Sequence, residues 1–254
     1  MPDSSTTATH LLERSEPGIA VLRLNRPESL NALTDDSVAA LSATLEVLAR
    51  DTALRVLVLT GAGRGFCAGF DLGLAAEASL SKELGEAAAW TARQEAFASL
   101  VTRLRALRAP VIAAVNGAAN GAGLGLALAC EVRIAAASAS FNAAFVKVGM
   151  SSCDIGVSWL LPRAVGTSRA FEMMLTGGLV KADEAERIGL VSATVPDAQL
   201  MPRALALARD IAANDAFAVW MTKRGAWANL EAASLHSAME LENRTQILAR
   251  STGE

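Results

Sequence analysis

The sequence predicts an α/β fold with a mostly parallel sheet and a helical C-terminal subdomain, and three observations carry that prediction. Short β-branched or aliphatic runs recur at Ile19–Leu24, Val56–Thr60, Val111–Val115 and Val132–Ala135, each of strand length. Helical stretches separate them, and strands that alternate with helices favour parallel pairing. Past about Val195 the strands stop, and Leu205–Ile211, Ala216–Leu230 and Leu235–Arg250 read as amphipathic helices.

Along the chain, residues 1–16 read as a polar tail, 17–195 as the α/β core and 196–254 as the helical subdomain. The tail carries Asp3, Glu13 and Glu16 and lacks the basic start and apolar run of a signal peptide. Asp35 or Asp36 is placed to cap a helix running toward Arg50. A second helix covers Glu86 to Leu107, with Arg93, Glu95, Arg103, Arg105 and Arg108 on one side. Before it, residues 73–86 (GLAAEASLSKELGE) mix small residues with both charges, which makes them the expected mobile loop. Ala109 to Cys130 holds no charge over 22 residues, enough to span a bilayer. Pro110, Asn116, Asn120 and four glycines interrupt any single helix there. The stretch is therefore read as a buried strand, Val111–Val115, a Gly-rich turn, and a buried helix from Leu124, with no membrane span.

The chain has 254 residues, 52% hydrophobic but only 4% aromatic, because alanine makes up about a fifth of it. Its 23 basic and 26 acidic residues give a charge of −3, which argues against a nucleic-acid partner. Cys67, Cys130 and Cys153 are an odd number, widely spaced and without CxxC. A disulfide framework or zinc site is not expected, and a reducing cytoplasm is. Cys67 and Cys153 read as small buried thiols.

Familiar motifs are missing: no GxxxxGK[ST], no GxGxxG, no GxSxG, and only His10 and His236 as histidines. No metal site is expected. What remains is two Gly-rich turns, each following a strand: GAGRGFCAGFDL (61–72) and NGAANGAGLG (116–125). Small residues let backbone N–H groups approach a ligand closely. Two adjacent turns could aim two donors at one oxygen, or could simply be tight packing turns.

LNRPESLNAL (24–33), FCAGFDL (66–72), AAVNGAANGAGLGLALACEVRIA (113–135), GMSSCDIGVSWLLPRAVG (149–166) and LTGGLVKADEAERIGLV (175–191) resemble the ordered signatures of the crotonase, or enoyl-CoA hydratase/isomerase, superfamily. The resemblance implies a crotonase-like ββα superhelix core and an acyl-CoA thioester substrate, with coenzyme A part of the substrate and no separate cofactor. It also implies a homotrimer or dimer of trimers. Matching the motifs places the two backbone donors to the thioester oxygen at Ala68 and Ala122. Gly69, Phe70, Asp71, Leu72, Gly121, Gly125 and Phe145 fall on the substrate-binding positions, with Asp71 read as holding the turn.

The two glutamates that activate water in hydratases of this family fall on Gly125 and Phe145, and neither can take a proton. Asp154, in CDIGVSWLLPR, resembles the segment bearing the catalytic Asp of related isomerases. One carboxylate can move a double bond by removing a proton from Cα or Cγ and returning it elsewhere. Phe141, Phe145 and Trp159 are expected to supply an apolar setting that raises its pKa. The alternative is that Asp154 caps the following helix. Isomerisation is thus the expected reaction. The others are hydration through a carboxylate of the 73–86 loop or the C-terminal helices, and non-catalytic acyl-CoA binding. Glu131 is read as holding a strand end. Lys223 and Arg224 are read as a solvated helix face or as reaching toward a coenzyme A phosphate.

Overall fold

A computed structural model describes residues 8–71 and 85–251. The larger sheet has six strands in the order β1 (His10–Glu16), β2 (Ile19–Leu24), β3 (Val56–Gly61), β5 (Val111–Val115), β7 (Val132–Ala136) and β10 (Ala193–Val195). β1 is antiparallel to β2 and the other pairs are parallel. A smaller sheet joins β4 (Gly65–Cys67), β6 (Ala118–Asn120), β8 (Ser140–Asn142) and β9 (Val180–Lys181), the last antiparallel.

Each repeat places one strand in the large sheet, one in the small sheet, and then a helix. β3 and β4 precede α2 (Glu86–Ala106); β5 and β6 precede α3 (Ala122–Ala129); β7 and β8 precede α4 (Val157–Val165). This is the expected ββα superhelix. The uncharged stretch 109–130 divides into β5, β6 and α3, and among the described residues no helix is long and apolar enough to cross a membrane.

The central strands are continuous apolar runs because both their faces are buried. On β5, Val111, Ala113 and Val115 join the core under α2 and α3, while Ile112 and Ala114 join a second core. The second core is closed by α7 (Leu200–Ala212), which buries Leu200, Ala204 and Ala208 at one-turn spacing. Alanine on that stripe lets the helix lie close to the sheet.

Three boundaries differ from the sequence reading. Residues 10–16, expected within a polar tail, form β1; an edge strand with one face in solvent can stay polar, and its interior side chains are exposed. α1 (Asp35–Arg50) is capped by Thr34 rather than Asp35 or Asp36, through a box in which Thr34 and Ser37 exchange side-chain bonds to each other's backbone N–H. α7 also begins five residues before the expected Leu205. α8 (Ala216–Asn229) and α9 (Leu235–Ser251) follow, the former capped by Asp215.

Candidate active site

Turn chemistry fixes the first Gly-rich segment. Asn31, buried and at φ +59°, donates to the carbonyls of Ala62 (2.9 Å) and Gly65 (2.8 Å) and accepts from Arg26 N (2.8 Å). Asn116, at the end of β5, accepts from Gly61 N (3.0 Å) and donates to Gly63 O (2.9 Å) and Gly65 O (3.0 Å). These two amides satisfy the turn and deliver the chain into β4. Sequence reasoning missed both roles.

Beyond β4 the chain runs beside residues 30–33. Ala68 N donates to Leu30 O (2.9 Å), Leu33 N to Gly69 O (2.7 Å), and Asp71 N to Leu33 O (2.9 Å). Ala68, expected to offer a free donor, is therefore committed to the neighbouring segment 30–33. Successive N–H groups of an extended chain point to opposite sides, so Phe70 N–H faces away from residues 30–33. It donates to no group among the described residues. Asp71 does hold the segment, pairing with Arg26 at 3.1 Å. Leu72 lies outside the described residues, as do residues 73–84 of the expected mobile loop.

The second turn meets the first directly. A Cβ on Gly69 (φ +101°) would stand 3.0 Å from Asn120 O and 3.5 Å from Ala122 N. A Cβ on Gly123 would stand 2.0 Å from Cys67 O, so only glycine permits the approach. Gly121, at φ +50°, turns the chain from β6 into α3 and donates to Asn142 O. Ala122 then opens α3 with an N–H that, like the other first-turn donors of a helix, has no partner within the helix. Among the described residues Phe70 N–H and Ala122 N–H thus have no acceptor, and they lie on two touching segments.

Aromatic rings surround them. Phe70 packs edge-on against Phe97 of α2 (centroids 4.7 Å apart) and Phe145 (6.1 Å). Phe145 is buried, and a Cβ on Gly121 would stand 3.5 Å from its ring. Gly125 faces no open space: a Cβ there would stand 2.7 Å from Ile155 Cγ2 and 2.8 Å from Ile155 O. The volume a glutamate would need is filled.

Asp154 comes to this site through its neighbour. Ile155, at φ +41°, is a β-branched residue in a left-handed conformation, a strain of roughly 1–3 kcal/mol that its packing on Gly125 over-determines. The side chain of Asp154 does not cap α4. Gly156 is the cap residue, with no side-chain cap bond, and Asp154 contributes its carbonyl, which accepts from Val157 N (2.8 Å). Instead Asp154 Oδ1 accepts from the Gln94 side chain on α2, while Oδ2 is buried without a partner among the described residues. Burial pushes its carboxyl above the ordinary carboxylate range, and bonds from Ile155 N–H and Gln94 pull it partly back. Trp159 does not supply that burial. It is 42% exposed and stacked under Arg163, because its position on α4 turns it outward.

Other candidates resolve by burial. Cys67 is fully buried and its thiol is pushed up to about 12, which leaves no thiolate for chemistry. Cys153 is exposed, contrary to the expected buried thiol, because it lies on the turn before α4. Glu131 holds the start of β5 through Val111 N (2.7 Å), as expected. Lys223 is neither solvated nor available to a phosphate: its side chain is 3% exposed and bonded to Glu131, Leu104 O and Ala109 O. Arg224 is exposed on α8.

Comparison with known proteins fits this architecture. Residues 14–252 match the family model described as enoyl-CoA hydratase/isomerase. The chain is 44% identical to a "Probable enoyl-CoA hydratase" of Mycobacterium tuberculosis, over 97% of this chain and 86% of that protein. It is 40% identical to a 1,2-epoxyphenylacetyl-CoA isomerase of Escherichia coli, over 94% and 89% respectively. A solved structure described as a monofunctional enoyl CoA isomerase from M. smegmatis superposes with a TM-score of 0.78 at 45% identity, covering 92% of this chain and 99% of that one. The chain belongs to the enoyl-CoA hydratase/isomerase family of the crotonase superfamily.

Proposed function

We propose that the protein is an acyl-CoA double-bond isomerase that uses Asp154 as its single acid/base. One observation carries the reading: Asp154 has a buried carboxylate oxygen without a partner among the described residues, while the two hydratase glutamate positions are Gly125 and Phe145. The thioester oxygen is held by Phe70 N–H and Ala122 N–H, a correction of the expected Ala68 donor. Asp154 removes a proton from Cα of a 3-enoyl thioester. The electron pair moves onto the carbonyl oxygen, giving a dienolate conjugated with the Cβ–Cγ double bond, whose charge the two N–H groups stabilise. Asp154 then returns the proton at Cα or Cγ. The reaction is redox-neutral and recovers its proton, so it calls for no metal or further cofactor.

The test is incubation with 3-enoyl-CoA and 2-enoyl-CoA, with the two isomers resolved by chromatography and any gain of water read by mass. The expected outcome is interconversion of the two without gain of water. Accumulation of 3-hydroxyacyl-CoA would overturn the reading in favour of hydration, and absence of any turnover would favour acyl-CoA binding alone.

Restoring a glutamate is expected to fail as a route to hydration. Gly125→Glu must displace Ile155, so it destabilises the fold by about 1–3 kcal/mol or more and moves Asp154 with it. Thermal melting and the same assay check this: a lower Tm, reduced isomerisation and no hydration.

The oligomer belongs to the same proposal. On α9, Leu235, Met239 and Ile247 are 50–76% exposed, and such a stripe calls for a partner surface. We assign it to contacts between copies in a trimer or dimer of trimers. Sedimentation should give three or six times the 26.3 kDa of the chain.

A further inference from the structure

We propose that Gln94 is a positioning residue for Asp154, holding one carboxylate oxygen through its side-chain amide so that the other is left free to carry the proton. The inference rests on the isomerase reading above and adds to it a residue whose surroundings in the sequence (TARQEAFASL) mark it only as a polar position on a helix.

The placement is built by α2. Gln94, Phe97 and Val101 fall at three- and four-residue spacing, so they share one face of that helix. Phe97 and Val101 are buried, and Phe97 packs against Phe70, the residue that supplies one thioester donor. Val101 lies beside the turn at Gly156, where a Cβ would meet its Cγ1 at 3.4 Å. The same face that fixes the donor segment therefore runs along the Asp154–Gly156 turn and presents Gln94 to Asp154 Oδ1.

An amide suits both protonation states of its partner. Its N–H donates to Oδ1 of the carboxylate and still donates to Oδ1 of the carboxylic acid, whose proton sits on the other oxygen. A group that cycles between base and acid needs a partner that serves in both halves. Among the described residues no other ionisable group is placed to do so. α3 has no titratable side chain, and Arg93, next to Gln94, is held by Asp35 at 2.7 Å over the Trp90 and Phe97 rings. Glu95 is exposed, and Cys153 before the turn is exposed. Lys147 packs its stem against Gly177, and Arg163 stacks on Trp159.

The test is a series at position 94 in the full-length protein: Gln94→Lys, Gln94→Leu and Gln94→Glu. The readouts are the carbon-13 resonance of the Asp154 carboxyl, assigned with Asp154→Asn, and the pH profile of isomerisation. A charged donor favours the carboxylate, loss of the donor disfavours it, and a second carboxylate disfavours it further. The expected order of Asp154 titration is Lys lowest, then Gln, Leu and Glu. For Gln94→Leu the acidic limb of kcat/KM moves up by about one pH unit, so activity on that limb falls about tenfold and recovers at higher pH, with KM unchanged. Because Gln94 is exposed, the fold should tolerate all three substitutions. Superimposable Asp154 titrations across the series would overturn the proposal, even in a protein that turned over no acyl-CoA. Full isomerase activity of Asp154→Asn would instead remove Asp154 from the mechanism, a separate failure that the same experiment registers.

Discussion

Asp154→Asn should lower kcat/KM for isomerisation of 3-enoyl-CoA by about 10²–10⁴-fold, the range supplied by a positioned acid/base. That range corresponds to roughly 3–5 kcal/mol of lost transition-state stabilisation. Asparagine keeps the shape and the contact with Gln94 but cannot take a proton, so substrate binding should change little. The loss should also not come from unfolding. Asp154 has a folded-state pKa raised by burial. Its ionised form is thus disfavoured in the fold, and stability falls as pH rises from the unfolded value through the raised one. Replacing it with a neutral amide relieves that cost, so the variant should melt no lower than wild type at neutral pH. The same shift sets the direction of the wild-type profile: activity as a base is lost as pH falls through the raised pKa. Turnover by the variant equal to wild type would show that the proton moves by another route.

Much of this site was legible in the sequence because its signals are local. Gly-rich turns after strands, the missing glutamates and the Asp-x-Gly segment each depend on residue type and spacing, and they place Ala122, Gly121, Phe145 and Asp154 near one another. What was not legible depends on pairing. Ala68 and Phe70 are two residues apart with equivalent backbone groups. Only the hydrogen bonds to Leu30 and Leu33 show which N–H is already occupied. Gln94 likewise acquires its role from the face that α2 turns toward Asp154. Strands of two or three residues, such as β4, β6, β8 and β9, have too few positions to show a period. The small sheet they form was therefore missed, as was the three-residue β10 of the large sheet, while β2, β3, β5 and β7 were not. β1 escaped for the opposite reason, since an exposed edge need not be apolar.

Lys223→Met should destabilise the protein by about 3–5 kcal/mol, the cost of breaking a buried ion pair by removing one partner. On a helix of mixed sequence this lysine reads as solvated, but its ammonium has three acceptors at bonding distance. They are Glu131 Oε2 (3.1 Å), Ala109 O (3.1 Å) and Leu104 O (3.3 Å). Burial pushes its pKa down and the Glu131 carboxylate pushes it back up. Glu131 is in turn held by Val111 N and Trp227 Nε1, both at 2.7 Å. One ammonium therefore ties α8 to the end of α2, the start of β5 and the turn before β7. Methionine matches the stem of lysine but leaves the Glu131 carboxylate without its cation and two carbonyls without a donor. In a double variant with Glu131→Gln the stranded charge is gone, so the second substitution should restore part of the loss rather than add to it. Urea unfolding of the two single variants and the double variant measures this. Additive losses would mean that the two side chains do not act as a pair. A small loss for Lys223→Met alone would mean that α8 is held by Trp227 and its apolar neighbours, with the ammonium contributing little.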